Sequence, residues 1–474
     1  MADSMSKVQF RALTDEQCES IVDASFRILE TTGVKVTSEK VRAMLAAKGC
    51  TVTGEIVQIP RELMKWSIEA APSEFYLYTR DGEPAMRLAS DGPSYFGTVI
   101  SASEMPDLDT HELRPTTRQD CENFVTLADS LENISWMCAG VAVTDVPETV
   151  QDIAEVQVML PRTTKPIMYW AMNNENLEME FEMFDVVAGG REAFAEKPFA
   201  INLICPQDPL IQPGHSLEQI MFMAENKAPF VYISGIGFGL GSPMSIASGM
   251  ALGTANTLVG NLVAQMTNEG TPYLAGKFMD NIDFATGNVM HGRPELLIAN
   301  MATADVFRYL NMPYLANFCS TDSADFDMLA AGDTSLQTYC AEICGANMIF
   351  APGAMGSGVL ISFEKLVYTN EMIEYALRMK GFEVSEEAFF FDEIDEVGPG
   401  GNFLMAESTI ENMREYYIPK ALKPRGKGQK EPMLDELSAI AKDIIEAGVQ
   451  NPLDEGKVDQ INAIMNRAIA AHAQ

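Results

Sequence analysis

The sequence predicts a (β/α)8 TIM barrel with an N-terminal α+β extension and a C-terminal helical extension, and three observations carry the prediction. Short apolar runs recur, each opening on proline: "KPIMYWAM", "KPFAINLICP", "APFVYISGIG", "TPYLAGKFMD" and "MPYLANFCS". Their prolines, at 166, 198, 229, 272 and 313, stand 32, 31, 43 and 41 residues apart, about the length of a βα unit. Proline is tolerated as the first residue of a strand, where its missing N–H does least harm. The stretches between the runs repeat apolar residues at helical spacing. Finally, the runs are apolar along their whole length, as parallel strands covered by helices require.

Taken in order, residues 1–90 hold two helix patterns, "TDEQCESIVDASFRILETTG" and "SEKVRAMLAAKG", then "TVTGEIVQIP" as a β-hairpin. Residues 91–404 form the barrel. Its strands are "SYFGT" (94–98), "NISWMCAGVAV" (133–143), the five proline-led runs and "ANMIFAPG" (346–353). Intervening helices include 216–227, 243–270 and 294–311. A doubly wound sheet is the alternative, disfavoured because no GxGxxG follows the first strand. Residues 405–474 comprise an exposed basic linker, "KALKPRGKGQKEP", and two helices over roughly 432–447 and 455–472.

Composition restricts the function. Among 474 residues, 33 Lys and Arg face 67 Asp and Glu, a formal charge of −34. That field opposes nucleic acid and anionic membranes and favours a cationic ligand. No apolar run reaches the 18 residues of a membrane span, and "MADSMSKVQFRALTDEQ" lacks the basic start and apolar core of a secretion signal, so a soluble, cytoplasmic protein is expected. Eight dispersed cysteines without a CxxC pair read as reduced core thiols. Cys340 and Cys344, four apart on a helix, have no third ligand in view. With four histidines (111, 215, 291, 472), none at ligand spacing, no metal site is expected.

Barrel chemistry sits at the C-terminal strand ends. Those ends carry Tyr95, Phe96, Trp170, Phe278 and Phe350, with acids nearby. Aromatic faces and carboxylates are the ingredients of a cage for a quaternary ammonium group, although each ring alone reads more readily as core. Lys277 and His291 are candidates to hold a substrate carboxylate, against a plain surface role. "GIGFGLGSP" offers backbone N–H groups to an anion, or simply close packing. Cys319, before Asp322, Asp325 and Asp327, ends the seventh strand. As a nucleophile it would need a lowered pKa, which those acids oppose. It reads as lining the pocket or as structural. Asp322 is the candidate anion for a cation, or else a cap or solvated loop acid.

The segments "TTGVKVTSEKVRAMLAAKGCTV", "VQIPRELMKWSIEAAPSEFYLYTRDG", "YFGT", "ICPQDPL", "GRPELLIA", "GANMIFAPGAMGSGVLISFEKLVYTNEMI" and "VSEEAFFFDEIDEVGPGGNFL" follow one another as in the trimethylamine methyltransferase (MttB) superfamily, which the chain resembles over nearly its whole length. The resemblance implies a barrel enzyme that passes a methyl group from a methylamine or betaine to a separate corrinoid protein, with no cofactor tightly bound to this chain. In the trimethylamine enzymes the stretch matching "MPYLANFCSTDSAD" carries pyrrolysine, and that place falls on Cys319. The chain thus resembles the non-pyrrolysine branch, which demethylates quaternary amines. Proline betaine or glycine betaine is the favoured substrate, then carnitine or γ-butyrobetaine. Ala255-Asn256-Thr257 stands where trimethylamine enzymes tend to read Asn-Ala-Glu, so their polar network is not copied here. Other readings are a non-catalytic betaine-binding or sensing barrel, and a cobalt-independent hydrolase or decarboxylase using Cys319. The apolar terminal helices are compatible with a homo-oligomer.

Overall fold

The structure, a computed structural model, describes residues 8–379, 381–414, 416–422 and 433–472. Most of the basic linker expected after residue 419 lies outside the described residues.

The eight expected strands form a closed parallel barrel. They are β1 (Tyr95–Phe96), β2 (136–137), β3 (Ile167–Tyr169), β4 (Ala200–Ile204), β5 (Phe230–Gly237), β6 (Tyr273–Ile282), β7 (Tyr314–Asn317) and β8 (Met348–Phe350). Parallel ladders run from β3 through β4, β5, β6, β7 and β8 to β1. Two single bridges, Gly97 with Trp136 and Met137 with Ile167, close the ring through β2. The prolines explain themselves here. Pro166, Pro229, Pro272 and Pro313 each accept, through the carbonyl, a backbone N–H from the neighbouring strand (Met137, Asn202, Phe230 and Ala275). Their missing N–H falls where the ladder has not yet begun.

Each strand is followed by a covering helix: α1 (Arg118–Ser130), α2 (Gln151–Arg162), α3 (Asn174–Ala188), α4 (Gly214–Glu225), α5 (Ile246–Thr267), α6 (Pro294–Tyr309), α7 (Met328–Cys344) and α8 (Phe363–Arg378). Side chains start several of them. Thr117, Asn173, Ser245, Asp327 and Ser362 accept backbone N–H groups at the first turns of α1, α3, α5, α7 and α8.

Before the barrel, the helix Asp15–Thr31 packs on α5 and α6. The expected hairpin is present, Thr51–Thr53 pairing antiparallel with Ile56–Gln58. Val34–Val36 joins it and also pairs in parallel with Ile211–Gln212, in the loop after β4. A second hairpin, Glu74–Tyr78 with Pro84–Ala89, lies at the N-terminal end of the strands: Tyr78 N–H bonds Pro198 O, and Asn347 bonds Ala89 O. At the opposite end, Glu104–Pro106 and Leu113–Pro115 share a small sheet with Ala354–Met355 and Leu360–Ile361, tying the first and last strand–helix loops together. The two C-terminal helices, Met433–Ala447 and Glu455–His472, pack on α1 and α8 and on α2 and α3 respectively.

Closure depends on close packing inside β1 and β2. The Trp136 ring is fully buried, stacks 6.3 Å from Phe350 and donates its indole N–H to Tyr95 O. A Cβ on Gly97 would lie 2.1 Å from that ring. The substitution Gly97→Ala is therefore expected to destabilise the fold by about 1–3 kcal/mol, measured by chemical denaturation. A variant as stable as the parent would contradict this packing.

Candidate active site

The residues that can meet a ligand are set by the alternation of side chains along each strand. On β6, Lys277 points outward, its ammonium donating to Met250 O on α5 at 2.8 Å. The next residue, Phe278, points inward and lies 5.4 Å from the Phe350 ring. Asp280 follows on the same inward face. Its Oδ2 would lie 3.9 Å from a Cβ placed on Gly235 of β5, and its Oδ1 is buried without accepting a hydrogen bond from any described residue. Gly235 is exposed within an otherwise buried strand, and Cys205, just past β4, is also reached by solvent. These residues mark an opening into the barrel at its C-terminal end.

Loops after β6, β7 and β8 are knitted together beside Asp280. Asp322 accepts the backbone N–H of His291 (2.5 Å) and of Gly292 (3.0 Å) and the Ser357 hydroxyl (3.0 Å). His291 Nδ1 shares a hydrogen bond with Ser320 Oγ at 3.0 Å, and its Nε2 stands 3.5 Å from Asp280 Oδ1. Gln337 on α7 bonds both Ser320 O and His291 O. Asp322 is thus occupied in shaping the loop, whereas Asp280 Oδ1, with His291 Nε2 3.5 Å away, accepts no hydrogen bond from the described residues.

On the other side of the mouth, the indole N–H of Trp170 donates to Glu155 Oε2 (3.0 Å) and lies 3.2 Å from Ser101 Oγ, which donates to the same oxygen at 2.6 Å. Glu155, on α2, is buried, and burial pushes its carboxyl up to about 8 in spite of the two donors. It is neutral through most of the physiological range and fixes the Trp170 ring without adding a full charge.

Three further candidates lie elsewhere. Tyr95 sits at the N-terminal end of β1, its hydroxyl accepting the Arg87 N–H at 3.1 Å. Phe96 is buried one residue on, and by alternation faces the helices. Cys319 adopts a left-handed backbone (φ 70°) that turns its side chain toward α7, where Sγ is 3.3 Å from Thr338 Oγ1. Burial pushes its thiol up to about 11. Lys365 on α8 donates to Cys319 O, and burial lowers that ammonium to about 8. Burial likewise holds Lys277 well below the usual lysine range, with Asp208 opposing that shift.

Of the sequence candidates, the structure brings Phe278, Phe350, His291 and Asp322 to one side of the opening and Trp170 to its rim. Lys277, Tyr95, Phe96 and Cys319 are directed away from it. The N–H groups of the glycine-rich loop are largely engaged internally, Gly239 with Ser242 O, and Leu240 and Gly241 with Gly237 O. Asn256 serves a network of this chain's own: it donates to Asp208 Oδ1, which also accepts from Ser234. Among the described residues no cluster of His, Cys, Asp and Glu suits a metal, and no helix is long and apolar enough to cross a membrane. Sequence reasoning passed over Asp280 and Glu155. The signal for Asp280 was its place two residues after Phe278, on the same face. Nothing local in the sequence marks Glu155, which lies within a helix.

A barrel mouth with inward aromatic rings and the Asp280 carboxylate, one oxygen of which accepts no hydrogen bond from the described residues, can attract a cation that has no N–H to donate. The chain also has known relatives. It is 29% identical to the glycine betaine methyltransferase of Desulfitobacterium hafniense (strain Y51), over 87% of this chain and 86% of that one. It is 27% identical to the trimethylamine methyltransferase MttB of Desulfitobacterium hafniense (strain DSM 10664 / DCB-2), over 85% and 81%. A crystal structure of a hydroxylamine complex of MtmB shares the fold, with a TM-score of 0.55 at 13% identity, over 99% of this chain and 89% of that one. The trimethylamine methyltransferase (MTTB) family model matches residues 4–470, and the chain belongs to that family.

Proposed function

We propose that this protein takes a methyl group from a betaine-type quaternary amine and passes it to the cobalt of a separate corrinoid protein. Glycine betaine or proline betaine is the favoured substrate, ahead of carnitine and γ-butyrobetaine. The observation that carries the reading is Asp280, whose Oδ1 accepts no hydrogen bond while Phe278 supplies an aromatic face on the same side of the strand. A quaternary ammonium offers no hydrogen to donate, so charge and π faces are the interactions left to recognise it. Membership of the family, and a relative that acts on glycine betaine, support the same substrate class.

The corrinoid belongs to the partner protein and supplies the nucleophile that accepts the methyl group. This chain binds the amine, aims one methyl outward through the mouth and limits water, and pre-orientation of that kind contributes at most roughly 7–11 kcal/mol. No acid is required on the leaving side, because an amine departing from a quaternary ammonium is already neutral. A tertiary amine would need protonation or capture first. The site matches the easier case: where pyrrolysine stands in the trimethylamine enzymes this chain has Cys319, a buried thiol held protonated and turned toward α7. Of the two candidates for the substrate carboxylate, His291 lies beside Asp280 while Lys277 is turned behind the sheet, which favours His291. Co(I) chemistry suits an anaerobic cytoplasm.

The direct test mixes the protein with a Co(I)-reduced corrinoid protein, or free cob(I)alamin, and a panel of amines, following the Co(I) absorbance. A betaine is expected to consume Co(I) and trimethylamine is not. A protein that binds a betaine while consuming no Co(I) would instead be a binding or sensing barrel. The Asp280→Asn variant is expected to weaken betaine binding by about 2 kcal/mol or more with little change in melting temperature. Cys319→Ala should lose stability, since a buried side chain is removed, yet keep the methyl-transfer rate within roughly threefold of the parent. Loss of activity there without cobalt dependence would favour Cys319 chemistry.

A further inference from the structure

Gly235 is a glycine that the backbone does not demand. Its φ lies outside the left-handed region occupied by glycines such as Gly239. Its N–H donates to Asp208 Oδ2 at 2.8 Å, a bond that any residue except proline would keep. Other glycines on β5 and β6 and on the helix behind them serve close packing. A Cβ on Gly237 would meet Ile282 at 3.1 Å, one on Gly276 would meet Ile233 at 2.5 Å, and one on Gly253 would meet Lys277 at 2.4 Å. At Gly235 the sole neighbour within 4 Å among the described residues is Asp280 Oδ2, at 3.9 Å. Gly235 is also exposed although the residues on either side of it are buried. Packing and conformation therefore both fail to explain the glycine, and empty space beside an uncommitted carboxylate remains.

We propose that Gly235 sets the size limit of the amine pocket: the missing side chain leaves the room in which the ammonium group lies against Asp280 and Phe278, its partner across the ladder. The inference rests on the quaternary-amine reading above and adds the residue that decides how bulky the amine can be. Alanine or valine at this position would project from the strand into that room. Valine suits an extended backbone, so its effect would be felt by the ligand rather than by the strand.

The test compares the parent, Gly235→Ala and Gly235→Val with tetramethylammonium and with proline betaine, whose ring makes it the bulkier cation. Melting temperatures are expected to stay within about 2 °C of the parent. The kcat/KM ratio of the small to the bulky amine should rise progressively, by roughly tenfold or more in the valine variant. An unchanged ratio in a parent that does demethylate quaternary amines would overturn the role of Gly235 and leave the wider reading intact. A marked loss of stability in Gly235→Ala would overturn it as well, by showing that the glycine serves packing. A parent inactive with every quaternary amine would remove the substrate class itself, and the size limit with it.

Discussion

The two-residue period of β6, locked by parallel ladders to β5 on one side and β7 on the other, is the constraint on which the mouth depends. Ser234 pairs with Lys277, Gly235 with Phe278 and Gly237 with Asp280. This register sends the ammonium of Lys277 behind the sheet and keeps Phe278 and Asp280 in front of it. A slip of one residue would exchange the two sets, placing a cation where the proposed substrate has its own positive charge. The outward lysine is held in place by Met250 O and by the bare backbone at Gly253, which admits its side chain.

Charge is distributed in the same sense throughout the site. Lys277 and Lys365 are both turned into the shell between strands and helices, where burial depresses them. Glu155, pushed up to about 8, contributes an acceptor for Trp170 rather than a full negative charge. Asp322 accepts three donors within its loop network. Asp280 Oδ1 accepts no hydrogen bond from the described residues and has His291 Nε2 nearby at 3.5 Å, and burying such an atom costs enough that a ligand able to compensate it is favoured. An acidic chain with Lys277 and Lys365 turned away from the mouth is physically compatible with a cationic ligand there.

The additions around the barrel strengthen it where its own pairing is thin. β2 contributes single bridges, and α1, α2, α3 and α8 around that side are backed by the two C-terminal helices. Ser438 donates to the buried Glu364 at 2.9 Å, and Lys457 donates to Val187 O at the end of α3 at 2.8 Å. The N-terminal strand Val34–Val36 grips the loop that carries Asp208, and Asp208 in turn holds Gly235. A segment remote in sequence thereby steadies the proposed pocket wall.

The sequence by itself determined the barrel, because the proline-led runs are apolar on both faces and the stretches between them have helical period. Both are properties of neighbouring residues. It also determined that the strand ends are aromatic. Which of those residues face a ligand was a tertiary decision. Lys277 and Phe278 are adjacent in sequence, yet opposite in the barrel, and only the ladder register assigns their sides. The left-handed turn at Cys319, which carries the thiol to Thr338, and the approach of Glu155 to Trp170 across two elements both arise from packing between segments that no local pattern connects. Asp280 and Gly235 acquire meaning in the same way: one is a carboxylate and the other a missing side chain, and only the pairing of β5 with β6 sets them around a common space.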